Sequence, residues 1–190
     1  MSFDAGKYVA ELQHTVTVAA LNYEVWWTCS SEDTRPEFVD AMNRYTMFFQ
    51  TSIHAHFVAL LVALYRLYEK RDDTYSIPSI LKFLRRDRLI DVAVLDRLDA
   101  MASDVKPLWV KVSILRNKAF GHRSVAHTVA EVFQEAGVSP NDLKELVERT
   151  KVVLNALTHT WDRSVHAFDL GAQEDLIRLL TDIKRLGQRG

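Results

Sequence analysis

Between Pro140 and Phe168 the apolar residues Leu143, Val147, Leu154, Leu157, Trp161, Val165 and Phe168 return at threes and fours. That is the period of one helical face, and it predicts a long helix with one side buried. Similar periods run through most of the chain. Only 4 Pro and 6 Gly punctuate 190 residues, too few for the turns of a many-stranded fold. The expected fold class is therefore all-α: an antiparallel helical bundle with about two long pairs of helices and short connecting helices.

The pattern divides as follows. A first helix runs from about Asp4 to Ser30. A second starts near Pro36 and continues to about Lys70, apolar almost all round at its centre: Phe57, Leu60, Leu61 and Leu64 on one side, Val58 and Val62 on the other. A helix greasy on every face is a central one. The polar break RDDTYS (71–76) precedes a short helix announced by Ser76 and Pro78. Another helix covers Asp91 to Ser103, with Pro107 marking a kink or a restart. The next runs from Val105 to Phe120, stopped by Gly121. Its stripe holds Val105, Leu108, Trp109, Val112, Leu115 and Ala119. Val110 and Ile114 form a second strip, so cover on two faces is expected. A short helix is expected around Thr128–Glu135. Ser139, Pro140 and Asp142 read as a cap, a first-turn proline and a capping-box acid. A last amphipathic helix spans 172–187, within the domain or as an accessory or interface element. No internal repeat or linker divides residues 1–190, so one domain is expected.

The single Cys29 has no partner for an intramolecular disulfide, which makes a reducing cytoplasm the default. MSFDAGKYVAELQ has no apolar signal core. The longest apolar run, FVALLVALY (57–65), is far short of the roughly 20 residues that span a bilayer, so no membrane partner is expected. The formal net charge is −1, yet from Val105 to Ala130 there is no Asp or Glu. That window carries Lys106, Lys111, Arg116, Lys118, His122, Arg123 and His127, a local excess that suits an anionic ligand.

Within it stands ILRNKAFGHRS (114–124), where a permanently charged Arg116 sits inside the apolar stripe. A buried, unpaired guanidinium costs on the order of several kcal/mol, so Arg116 must find an acid or reach a wet cleft. His122 follows just past the expected helix end and can turn toward the same cleft. Arg offers a planar fork of donors that fits phosphate oxygens and stabilises growing negative charge. His takes or gives a proton near neutral pH. In RNA the nucleophile, a 2′-hydroxyl, already lies beside its phosphate, so positioning and acid–base help suffice without a metal or other cofactor.

Other groupings carry less. Glu11 and His14 form one Glu-x-x-His, but a di-metal bundle needs two such pairs and two further Glu. His54 and His56 lie about 200° apart around a helix and cannot chelate one ion together; one of them caps the core as a hydrogen-bonded ring. His159, Asp162 and His166 share a helix face, either as a solvated surface or as a three-ligand metal patch. Trp26, Trp27, Trp109 and Trp161 belong to the core, with base stacking as the alternative for one of them.

The residues RNKAFGH resemble the signature of HEPN domains, all-helical bundles that carry an Arg, a polar neighbour, and a His after four to six intervening residues. Here Asn117 is the neighbour and five residues separate Arg116 from His122. RNKAFGHRS is similar, more narrowly, to the R-D/N-K-x-x-A-H-R-D pattern of the abortive-infection AbiU-like branch, with Gly121 for Ala and Ser124 for Asp. LYRLYEKRDDTYSIPSILKFL (64–84) looks like that branch's long helix, Asp-containing break and Ser-x-Pro-type helix start. The resemblance covers roughly Ile53 to Ser124. It implies a metal-independent endoribonuclease, toxin-like, of a toxin–antitoxin or phage-defence system. Arg116 and His122 would be its catalytic pair, meeting their counterparts in a homodimer cleft, and Asn117 would orient one of them. Lys111, Lys118 and Arg123 would touch the RNA backbone. RNA substrate, a second copy and an antitoxin protein are the implied partners. Some HEPN toxins have a Tyr two residues after the His that a partner enzyme modifies; Ser124 stands there, so that control is not expected. The alternative is a non-catalytic HEPN-like module that binds RNA, a nucleotide or a protein.

Overall fold

The computed structural model describes residues 4–71, 73–117, 134 and 136–188. Among them are seven helices and no strand: α1 (Ala5–Ser30), α2 (Arg35–Asn43), α3 (Thr46–Leu67), α4 (Ile77–Arg86), α5 (Val92–Leu115), α6 (Pro140–Asp162) and α7 (Ala172–Gln188). The chain is all-α, as its periodicity predicts.

α1 and α3 form the closest pair. They are antiparallel, since Tyr8 near the start of α1 meets Thr74 and Ser76 beyond the end of α3, while Trp26 packs on Phe57. Asp4 caps α1 by accepting from the Lys7 backbone N–H at 3.0 Å. The small residues Ala19, Ala20 and Ala63 are buried, which lets such helices approach closely. Leu12, Leu60, Leu61 and Leu64 are fully enclosed, so truncating any one to Ala removes about 2–5 kcal/mol of stability. α4, α5 and α6 complete the main core, with Ile80 and Leu84 of α4 and Leu95, Leu98, Leu115, Leu146, Leu154 and Leu157 inside it. Tyr68 links α3 to α6 through a 2.9 Å hydrogen bond with Thr150.

A second, smaller core lies between α1, α2, α3 and α7, where Cys29, Phe38, Met42, Phe49 and Leu180 are buried together. Lys184 of α7 reaches Glu37 of α2, and the Arg44 guanidinium donates to the Gly187 carbonyl at 3.0 Å. α3 is long and apolar enough, by composition, to cross a membrane, at a mean hydropathy of 1.6. Its Phe57, Leu60, Leu61 and Leu64 lie in the main core.

Four expectations are corrected. The helix expected from Pro36 to Lys70 is two, because Arg44 and Tyr45 break it between α2 and α3. α5 runs as one helix through Pro107, where a kink or a restart was expected, so the restart and the two separate helices are corrected. Pro107 faces solvent, so water can satisfy the carbonyl its missing N–H abandons. Cover on both faces of α5 fails at Val110, which is 40% exposed. α6 stops at Asp162 rather than Phe168, because Arg163 turns left-handed at φ 66°. The following segment is pinned back on the bundle: Asn155 exchanges hydrogen bonds with the His166 backbone N–H and carbonyl, and Thr158 donates to the Ser164 carbonyl. The helix expected around Thr128–Glu135 lies outside the described residues, apart from helical Gln134. The start of α6 is as expected, with Pro140 in the first turn and a reciprocal capping box between Ser139 and Asp142.

Candidate active site at the end of α5

α5 delivers the site. Its inward stripe buries Val105, Val112 and Leu115, and Arg116 follows on the same side, half-buried, where the helix widens into a π-type turn over Arg116 and Asn117. No carboxylate pairs with Arg116 among the described residues. Its guanidinium carbon instead lies 4.5 Å from the ring centre of Tyr65, the last aromatic of the α3 apolar run. One Nη donates to Asn117 Oδ1 at 2.9 Å. Asn117, expected to orient either Arg116 or His122, is thus in contact with Arg116.

Tyr65 is held in turn. The Trp109 ring stacks on it, 5.9 Å between centroids and 25° between planes. The Trp109 indole N–H donates to the Tyr65 carbonyl at 3.1 Å. Trp109 and Arg116 are seven residues apart, a rise of about 10.5 Å, which leaves room for one aromatic ring between them. A cation over an aromatic face is attracted by about 0.5–2 kcal/mol, more as water is excluded.

Lys111 is committed to Asp142 at 2.9 Å, tying α5 to the first turn of α6. Burial pushes the Asp142 carboxyl up, but the Ser139 backbone N–H and Lys111 outweigh it and hold the group below its usual range. Beside Trp109 a cleft of about 200 Å³ is bordered by Lys70, Ser103 and Lys106. Asp99 also lines it but is engaged by Arg85 at 2.5 Å. His122, Lys118 and Arg123 lie outside the described residues, so the structure neither joins them to Arg116 nor separates them from it.

Elsewhere the groupings resolve into structural roles. His56 bonds Asn22 through Nδ1 at 2.8 Å and is half-buried, as expected for one of the α3 histidines. The Trp residues pack on the main core as expected. The common face of His159, Asp162 and His166 does not exist: His166 has left the helix and meets Gln13 and Ser164, while Asp162 accepts from the Ser164 N–H. Among the described residues no three His, Cys, Asp or Glu side chains gather as a ligand set. His14 and His54 line the rim of a shallow groove of about 540 Å³ between α1 and α3, floored by Val18, Val58 and Val62 and reaching Arg66.

Tyr65 does not stand out in the sequence. Its place at the end of FVALLVALY reads as core, and only the pairing of α3 with α5 shows what it faces. The seven-residue step from Trp109 to Arg116 was a usable signal, because it puts an aromatic and a cation on one helix face two turns apart.

An all-helical bundle that ends a long inward-facing helix on an Arg–Asn pair is an arrangement of the HEPN class. The family model described as AbiU2, of the HEPN type, matches residues 4–181, and the chain belongs to that abortive-infection family. Comparison with curated proteins and with solved structures returns no match.

Proposed function

We propose that this HEPN domain is a metal-independent endoribonuclease, toxin-like, acting as a homodimer in a toxin–antitoxin or phage-defence system. The observation that carries the reading is the state of Arg116: a permanent charge in a half-buried setting, held by an aromatic ring and an amide, with no acid neutralising it among the described residues. A guanidinium tied to a carboxylate would have its fork occupied. One resting on a π face keeps N–H groups for an incoming phosphate.

The chemistry follows. The 2′-oxygen attacks the adjacent phosphorus, the bond from phosphorus to the 5′-oxygen breaks, and the products are a 2′,3′-cyclic phosphate and a 5′-hydroxyl. One proton leaves the 2′-hydroxyl and one reaches the departing 5′-oxygen. Arg116 stabilises the negative charge that grows on the phosphoryl oxygens. His122, assigned by family resemblance, handles a proton. Lys70 and Lys106 beside Trp109 offer charge to a neighbouring stretch of backbone. Dimerisation draws support from α3, whose groove-lining Val62 is 37% exposed and whose Met47 and Phe48 are 74% and 63% exposed.

The test is an RNA-cleavage assay on the parent, Arg116→Ala, Arg116→Lys and His122→Ala, with and without chelator. The expected outcome is chelator-resistant cleavage by the parent. Each variant should lose roughly 10²–10³-fold or more while unfolding at the parent's temperature. Lys is expected to fail because it keeps the charge without the fork. Salt-sensitive RNA binding with no strand scission by the parent would instead favour a non-catalytic binding module.

A further inference from the structure

We propose that Tyr65 is a positioning residue for the reaction: clasped by Trp109, its ring fixes the Arg116 guanidinium through a cation–π contact and leaves the donor fork available to the scissile phosphate. The inference rests on the ribonuclease reading of Arg116.

Three observations support it. The Arg116 guanidinium carbon is 4.5 Å from the Tyr65 ring centre, within the range of a strong contact. Tyr65 is fixed from a second direction, by the Trp109 ring at 5.9 Å and by the indole hydrogen bond to its own carbonyl. Arg116 carries its charge in a half-buried position where, among the described residues, no acid answers it. An Arg side chain has many rotamers, and freezing them during the reaction costs rate. A π face lowers that cost without neutralising the charge, whereas a carboxylate would hold the side chain and consume the hydrogen bonds the phosphate needs. Asn117 fixes one Nη in the plane while Tyr65 fixes the plane itself.

The phenol hydroxyl has no part in this role, so Tyr65→Phe is expected to cleave within about twofold of the parent. Tyr65→Leu, which fills much of the space with no π face, is expected to lower kcat by roughly 2- to 30-fold with little change in KM. Phenylalanines of increasing fluorination at position 65 keep the ring's outline while erasing its negative face, and kcat is expected to fall step by step with fluorine number. This series remains decisive if Tyr65→Leu does not fold. In an Arg116→Ala background the same changes should cost nothing further.

A second measurement does not depend on catalysis. The Arg116 side-chain Nε–H resonance, assigned by its disappearance in Arg116→Ala, is expected to carry an upfield ring-current shift. That shift should persist in Tyr65→Phe and vanish in Tyr65→Leu. A flat response to fluorination, additive losses in the Arg116→Ala background, or absence of the ring-current shift would each overturn the proposal. A parent that shows the shift but does not cut RNA would sink the ribonuclease reading and the positioning role with it, leaving only a structural stack.

Discussion

Arg116 and His56 are two nitrogen-rich side chains given opposite treatments. Arg116 keeps its charge because a guanidinium cannot shed it, so the fold must supply a surface that tolerates a cation, and Tyr65 does so. His56 can shed its charge, and burial lowers its pKa below the ordinary histidine value, while its Nδ1–H donates to Asn22. The unfolded chain then takes up this proton more readily than the folded one. The stability contributed by neutral His56 is complete above the unfolded value of about 6.5 and is lost as pH falls through the lower folded value. Urea unfolding of the parent is expected to weaken between pH 7 and pH 5, and His56→Gln should flatten that slope; an equal slope in both would refute it. Of these two roles, an unusual Arg was legible in the sequence from its intrusion into the Val112–Leu115 stripe. Tyr65 was not, because a tyrosine closing an apolar run looks the same whether it meets a leucine or a cation.

Elements were legible where local chemistry sets them and illegible where tertiary contacts do. The caps at Ser76 and Ser139 were plain, since each is a short polar side chain one step ahead of helical residues. The break at Arg44–Tyr45 carries no Gly or Pro, and the stop at Arg163 depends on the Asn155–His166 clamp, which joins residues eleven apart. Pro107 misled in the other direction: it is a breaker by habit, tolerated here because that side of α5 is wet. At this scale Asp142 does two jobs, closing the capping box of α6 and holding Lys111 of α5. Asp142→Ala is expected to destabilise the fold by about 1–2 kcal/mol. The loss should fade in acid, because the native carboxyl is held below its usual range and its contribution disappears once pH drops through that lowered value. Chemical denaturation at pH 7 and at pH 3 would check both the size and the sign.

For the whole molecule, the informative contrast is between the two flanks of α3. One flank carries Leu60, Leu61 and Leu64 into the core at no exposure, while the other leaves Val62 and the groove below it open beside Arg66. In the homodimer proposed above, the two copies would meet along that open flank. Val62→Asp would then place a charge in the contact, and it is expected to halve the solution mass by light scattering and to remove RNA cleavage together with it. A variant that stays paired and active would reject this geometry. Periodicity separates the two flanks, but a helix apolar all round gives no hint of which side stays open.

Cys29 gives the second core an experimental handle. It is the chain's one thiol, it is 2% exposed, and burial raises its pKa, so the reactive thiolate is scarce while α7 stays seated. Leu180 of α7 packs in the same cluster, so lifting α7 is expected to uncover it. Labelling by a thiol-specific chromogenic reagent should therefore be slow in the parent and markedly faster in Leu180→Ala, with no background from other sulfhydryls. Equal rates would mean that α7 is not the gate. The single thiol thus serves as a one-site clock for the opening of α7.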